Sequence, residues 1–195
     1  MVELRRVTAD EFDDVLELHH ECIDDRDRDV VREWYDEHPA LFWGAWDGDD
    51  LVGFALGRHR EAASVELVGI AVRDAYARAG VGSRLLEAFE DAAREYGFER
   101  ASVGSAGGYV DYFYAANGYR PESIMVRTSR EALPENYRER FDVRRERSVD
   151  GGHKVYLAPG GDADGPVDHD RVERVRAAFD DPDAIYIMEK SLHDG

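Results

Sequence analysis

The chain is short of several residues and features that particular functions require. It has one cysteine, Cys22, in 195 residues. No internal disulfide can form, which suits a reducing compartment. Cys22 reads as a small core-facing residue of the first helix and not as a nucleophile. Lysine occurs only at 154 and 190, so the lysine-bearing phosphate loop G-x-x-x-x-G-K-[ST] has nowhere to sit. No apolar stretch is long enough to cross a bilayer, and no charged-then-apolar leader opens the chain. The expected location is therefore cytoplasmic. Positive charge is also scarce: 25 Lys and Arg face 43 Asp and Glu, a formal net charge of −18. Such a chain repels nucleic-acid backbones and anionic membranes, so neither is an expected partner.

What is present centres on residues 69–86, GIAVRDAYARAGVGSRLL. A short apolar strand runs into a glycine-bearing turn and then an amphipathic helix. Unpaired N–H groups and the positive end of the helix dipole make such a start an anion site. Glycine lets a bulky pyrophosphate approach the backbone. The dinucleotide pattern G-x-G-x-x-G is not met, because Gly80-Val81-Gly82 is followed by Leu85 where a third glycine is required.

The stretch resembles the acetyl-CoA turn of the GNAT N-acetyltransferases, in which a strand ending in Val precedes [QR]-x-x-G-x-[GA] and a helix. Here the strand ends at Val72, the glycines are Gly80 and Gly82, and the helix continues through Ser83, Arg84, Leu85 and Leu86. The [QR] position holds Ala77, and the basic residue follows at Arg78. A second resemblance lies downstream in DYFYAANGY, residues 111–119, where Tyr114, Gly118 and Tyr119 fall on the family's Tyr-x-x-x-Gly-[Phe/Tyr]. Gly118 is placed to stop a helix in the left-handed conformation.

The resemblance implies an α/β GNAT fold: a central mixed, mostly antiparallel sheet flanked by helices. The chain reads as one domain over 1–195, with an insert at about 129–183 before the last strand. It implies acetyl-CoA as cosubstrate, a primary amine as acceptor, direct transfer in a ternary complex, and no metal. Ile70, Ala71 and Val72 would offer main-chain groups to the coenzyme. Arg78, Ala79, Gly80, Val81, Gly82 and Ser83 would hold its phosphates, and Asn117 would contact it. Arg73 would bind phosphate or face solvent.

Acetyl transfer needs a deprotonated amine, a polarised thioester and a protonated leaving thiolate. An alkyl ammonium titrates near about 10, so a base or a water chain must act at neutral pH. Glu66, six residues before Val72, holds the position of the base in some branches of the family. Strict alternation would put Glu66 in one row with Val68, Ile70 and Val72. Tyr114 matches the tyrosine whose hydroxyl protonates the leaving sulfur, with Tyr112 a weaker substitute. A non-catalytic acyl-CoA-binding or sensory module of the same fold is the alternative. Excess carboxylate would either attract a cationic amine or mark adaptation to high internal salt. At molar salt the Debye length is about 3 Å, which screens steering and favours the second reading, a halophilic source.

The remaining pattern is structural. Thr8-Ala9-Asp10-Glu11 is a capping box before a helix to about residue 23. Acidic residues 24–29 separate it from a second helix that ends before Pro39. A hairpin turns at residues 47–50, a central strand covers 64–72, and a long helix from Gly82 closes at Gly97. After a strand at 120–128 the insert is expected to hold a helix at 130–141, a strand or hairpin near 149–157, an acidic loop and a helix at 169–179. The last strand spans 184–192. The insert reads as an elaboration at a dimer contact or over the acceptor cleft, so a homodimer is an open possibility. Trp34, Tyr35, Phe42 and Trp43 are candidate wall aromatics. His19 and His20 read as surface histidines without metal-ligand spacing. Asp162, Asp164, Asp168 and Asp170 lack a Ca²⁺-loop register. The arginines from 138 to 147 alternate with acids as a salt-bridged face.

Overall fold

The computed structural model describes residues 1–149, 152–161, 167–181 and 183–193. Asp162 and Asp164 of the expected acidic loop lie outside them. The architecture is α/β, a mixed and mostly antiparallel sheet flanked by helices, as the sequence leads one to expect. Residue contacts divide it into two units, one formed by Met1–Ser102 with 191–195 and one by Val103–Lys190.

In the first unit β1 (Glu3–Arg6), β2 (Phe42–Asp47), β3 (Asp50–His59) and β4 (Ser64–Val72) pair antiparallel in that order. Asp47 pairs with Asp50. The two loop residues are therefore Gly48 and Asp49, and Gly48 has φ +65°, the backbone sign that primed hairpin turns require. Helices α1 (Phe12–Cys22) and α2 (Arg28–Glu37) cover one face. There Tyr35 meets Phe12 and Phe42 edge to face at 5.5 and 5.2 Å, and Phe12 and Phe42 lie tilted 6.5 Å apart. Helix α3 (Val81–Glu95) covers the other face, burying Leu85, Leu86 and Phe89. A Cβ on Gly57 would collide with the Phe89 ring, so glycine there lets helix and strand close on each other. Each such fully buried Phe or Leu contributes about 1.5–3 kcal/mol.

One irregularity corrects the sequence reading. Leu56 pairs with Gly69, but the next residue, Gly57, pairs with Leu67. One step on β3 thus matches two on β4, a bulge at Val68. Glu66 therefore leaves the row of Ile70 and Val72. It faces α1 and α2 with Gly69 and Ala71, whereas Val72 faces α3 through Gly53 and Leu85.

β5 (Arg100–Ser105) carries the chain into the second unit. That unit holds α4 (Tyr109–Ala116), β6 (Arg120–Thr128), α5 (Tyr137–Arg140), β7 (Val143–Val149), β8 (Gly152–Leu157), α6 (His169–Phe179) and β9 (Ile185–Ser191). β9, β6, β8 and β7 pair antiparallel in that order. Residues of the insert thus form strands directly beside β6. The helix expected at 130–141 shrinks to the single turn α5. Pro134 has no N–H to donate, and Asn136 takes a left-handed φ of +56°, so helix starts only at Tyr137. The residues after α5 pair as β7 instead.

Candidate functional site

After Val72 the chain makes a short 3-10 turn, Asp74–Tyr76, and an extended Ala77. Two left-handed residues follow, Arg78 (φ +60°) and Gly80 (φ +78°). A left-handed arginine is uncommon and costs roughly 1–2 kcal/mol, so the turn is bent more sharply than its sequence requires. Gly80 opens α3 without a side-chain cap. The first intrahelical bond runs from Arg84 N–H to Gly80 C=O at 3.1 Å. The N–H groups of Val81, Gly82 and Ser83 precede it and are open to a ligand. Arg78, Ala79, Gly80 and Ser83 are exposed, and Val81 is buried beneath them as the anchor. Such an uncapped helix start has the geometry and dipole that suit an anion.

Arg73 does not wait for phosphate. Its Nε–H donates to Leu51 C=O at 3.2 Å, and Nη1 lies 3.2 Å from Glu21 Oε2. It borders a cleft of about 450 Å³ lined by Asp14, Glu17 and Glu21 of α1 and by Asp49 and Asp50 of the β2–β3 hairpin. Five carboxylates against one guanidinium make this cleft a place for cations, not for pyrophosphate.

Glu66 is three-quarters buried and gripped by Arg58, whose Nε–H and Nη2–H donate to Oε2 at 2.9 and 2.6 Å. Oε1 takes part in neither bond. Arg58 lies 4.7 Å over the Trp34 ring, so Trp34, Arg58 and Glu66 form one group on the α1/α2 side of β4. Of the other wall aromatics, Tyr35 and Phe42 are core, and the Tyr35 hydroxyl donates to Val7 C=O. Trp43 donates its Nε1–H to Ala40 C=O.

His19, read from the sequence as a surface residue, is fully buried. Its Nδ1 lies 3.1 Å from Asp24 C=O, and its ring fills the space a Cβ on Gly69 would take, 2.9 Å away. Burial, and then Arg26, push its pKa below the usual histidine range, with Asp24 opposing. Only a glycine at 69 admits the ring, and that pairing was the available signal. Neither it nor the Arg58–Glu66 cross-strand pair was read from the sequence.

In the second unit Tyr114 sits between the rings of Phe113 and Tyr119, at 5.3 and 5.7 Å, and is 4% exposed. Burial pushes its hydroxyl well above the ordinary phenol range. It therefore keeps its proton at neutral pH and can act as a donor. Asn117 caps its own helix, its Nδ2–H donating to Phe113 C=O at 2.8 Å. Gly118 takes φ +91° and ends α4 in the expected left-handed conformation.

In the first unit a strand ends at Val72 and an uncapped glycine turn opens α3, and in the second a helix closes at Gly118; each has the local conformation its motif requires. Residues 7–119 match the acetyltransferase (GNAT) family, more than half of the chain. The chain belongs to that family. Among relatives of this GNAT chain, the uncharacterized N-acetyltransferase YvbK of Bacillus subtilis is 27% identical over 125 residues, 63% of this chain and 76% of that protein. Its fold is similar to that of the ribosomal-protein-S18-alanine N-acetyltransferase from Escherichia coli, with TM-score 0.60 and 14% identity over 100% of this chain and 96% of that one. It is also similar to Arabidopsis thaliana Naa50 in complex with the bisubstrate analogue CoA-Ac-MVNAL, with TM-score 0.57 and 14% identity over 82% of this chain and 99% of that one. Among the described residues no helix of this GNAT chain is long and apolar enough to cross a membrane.

Proposed function

We propose that the chain transfers an acetyl group from acetyl-CoA to a primary amine, directly and in a ternary complex. The observation that carries the reading is the uncapped start of α3, where Val81, Gly82 and Ser83 offer three leading N–H groups beside Arg78. Family membership and the CoA-containing analogue on the similar fold of Naa50 support it. The main chain of Ile70, Ala71 and Val72 lies on the strand that leads into this turn and would align the pantetheine arm, with Asn117 a further contact.

In the reaction the amine nitrogen attacks the thioester carbonyl carbon, the C–S bond breaks, and the electron pair leaves with sulfur. Glu66 takes the amine proton, directly or through water. Because Arg58 occupies Oε2, the proton goes to Oε1. Tyr114 donates its hydroxyl hydrogen to the departing thiolate and passes the proton on as the C–S bond breaks. Burial makes it a weaker acid than a free phenol, so the hydrogen bond to sulfur is its larger share. The acceptor is a small amine or a protein amine, drawn from the side of the sheet that carries α1, α2 and the acidic cleft.

Calorimetric titration with acetyl-CoA in about 2 M KCl, where surface charge is screened, is the first experiment, with micromolar binding expected. An amine-acceptor assay then compares Glu66→Gln and Tyr114→Phe with the unaltered chain. Each is expected to lower kcat by about 10²-fold or more, the range for a lost acid or base, with acetyl-CoA affinity kept. Binding without loss of rate in either variant would remove both roles. Binding with no turnover of any amine would favour an acyl-CoA-binding module, to which Ala77 at the usual basic position also points.

A further inference from the structure

Away from the glycine turn, the end of α2 and the end of β3 bring together three metal-ligating side chains of unlike origin. Glu37 closes α2, His38 is its C-cap, and His59 is the last residue of β3. His38 Nε2 lies 3.8 Å and His59 Nδ1 3.6 Å from Glu37 Oε1. One ligand atom from each of the three lies within 4.8 Å of the others. Zn²⁺, with ligands at about 2.0–2.1 Å, holds tetrahedral ligand atoms about 3.4 Å apart. Each histidine nitrogen would close on Glu37 Oε1 by a few tenths of an ångström, and the two on each other by at most about 1.4 Å, within reach of side-chain torsions.

The surroundings suit a metal better than a chance cluster. His59 Nε2 lies 3.1 Å from Ala62 C=O. A proton on Nε2 donates to that oxygen and leaves the Nδ1 lone pair turned toward Glu37, the outer-shell arrangement that fixes a ligating histidine's tautomer. The buried Nδ1 of His38 has no hydrogen-bond partner among the described residues. Its other ring nitrogen, Nε2, is the one turned toward Glu37, and a metal there would fix the proton on Nδ1. Behind the imidazoles stand Tyr96 and Phe98. Their rings lie 5.2 and 5.5 Å from His38, and Phe98 lies 5.5 Å from His59. The backing is apolar, while Glu37 is 54% exposed at the front and leaves a path for an ion and a fourth, water ligand.

We propose that Glu37, His38 and His59 form a binding site for a divalent transition metal of the zinc type. Two imidazoles and one carboxylate select such ions over Mg²⁺ and Ca²⁺, which take oxygen sets. The ion ties the C-terminal end of α2 to the end of β3 and adds a cross-link within the first unit. The proposal is independent of the acetyl-transfer reading, since none of the three residues belongs to the glycine turn or to the Glu66 group.

The test is titration of the full chain with ZnCl2 in an excess of MgCl2, which saturates the abundant surface carboxylates. One ion per chain at micromolar affinity or tighter is expected, with Co²⁺ giving an intensified visible absorption at the same stoichiometry. His59→Ala and Glu37→Gln are each expected to weaken binding by about tenfold or more, since losing even an outer-shell partner costs about 10–100-fold. Glu37→Gln changes an exposed side chain and leaves the aromatic backing intact, so it reports on the site even if His59→Ala folds poorly. Zn²⁺ should raise the thermal midpoint of the parent chain and not of the variants. Uptake without a defined stoichiometry, or equal binding by the parent and Glu37→Gln, overturns the proposal.

Discussion

Three helices of this chain start in two different ways. α2 and α6 open on aspartates that cap themselves. Asp27 Oδ1 accepts from the N–H groups of Asp29 and Val30 at 2.9 and 3.4 Å, and Asp168 Oδ1 accepts from Arg171 N–H at 2.9 Å. α3 opens on Gly80 with no side-chain cap. A helix whose first N–H groups already hold a carboxylate has its anion built in, whereas one that opens on glycine leaves that place for a ligand. In a chain this rich in Asp and Glu, the absence of an acid at the start of α3 is the informative part. Stability is given up there, about a few tenths of a kcal/mol for glycine by comparison with a capped start, and the proposed coenzyme site is what would be gained.

Placing the missing anion in α3 should break the contrast most severely. Gly82→Asp puts a carboxylate among the leading N–H groups, and acetyl-CoA affinity measured by calorimetry should fall about 100-fold or more, equivalent to about 2.7 kcal/mol. The thermal midpoint should hold or rise, because an acid in the first turn favours the dipole. A parallel loss of fold and binding would mean that Gly82 serves packing.

Alkaline unfolding sharpens the comparison between the two units, since Tyr114 and Tyr186 both belong to the second. Burial pushes Tyr186 up to about 12, and Tyr114 higher still. The unfolded chain loses these protons near about pH 10 while the folded chain keeps them. Their contribution is therefore complete below pH 10 and is lost as pH rises through 10 toward the folded values. Tyr114→Phe should flatten the fall in urea midpoint between about pH 10 and 12. An unchanged slope would remove Tyr114 from that account.

Asp27→Ala and Asp168→Ala should each cost about 1 kcal/mol in urea unfolding, with acetyl-CoA affinity unaltered. A change in affinity would show that the capped starts are not separate from the open one. The smallest effect concerns acid. Arg5 and Thr8 hold the Glu11 carboxyl down at about 2, and Arg138 with Tyr137 and His153 does the same for Glu146. Both contributions are complete above about pH 4.3, the unfolded value, and are lost as pH falls toward 2. Arg138 is 67% exposed, so screening keeps its share below about 1 kcal/mol. Arg138→Ala should shift the acid midpoint only slightly, read by circular dichroism. A shift of a full pH unit would show the pair to be stronger than an exposed one.

Much of the frame was legible along the chain. The strand at 64–72 follows an apolar run, and the helix at 169–179 stands where it was expected, although Asp168, read as part of an acidic loop, turns out to cap it. The turn at 78–82 follows from two glycines placed where strand gives way to helix. These signals act over a few residues and survive without tertiary context. The segment 130–141 was misread because arginine and glutamate suit a helix as well as a strand. Pro134 and the left-handed Asn136 decided the matter, confining helix to Tyr137–Arg140. A strand or hairpin near 149–157 was legible, but its place beside β6 was not, because pairing is settled by long-range contacts and not by propensity.

The sequence by itself therefore determined the family, the order of elements and the glycine turn, all carried by local spacing. Tertiary structure alone decided where the side chains point and whom they meet. The bulge at Val68 moved Glu66 off the row of Ile70 and Val72, the cross-strand register gave it Arg58, and Gly69 admitted His19 to the interior. His38 and His59, far apart in the chain, met at the ends of α2 and β3. A period-2 strand reverses the facing of every side chain with a one-residue shift, so neighbourhoods of this kind exist only once the register is set.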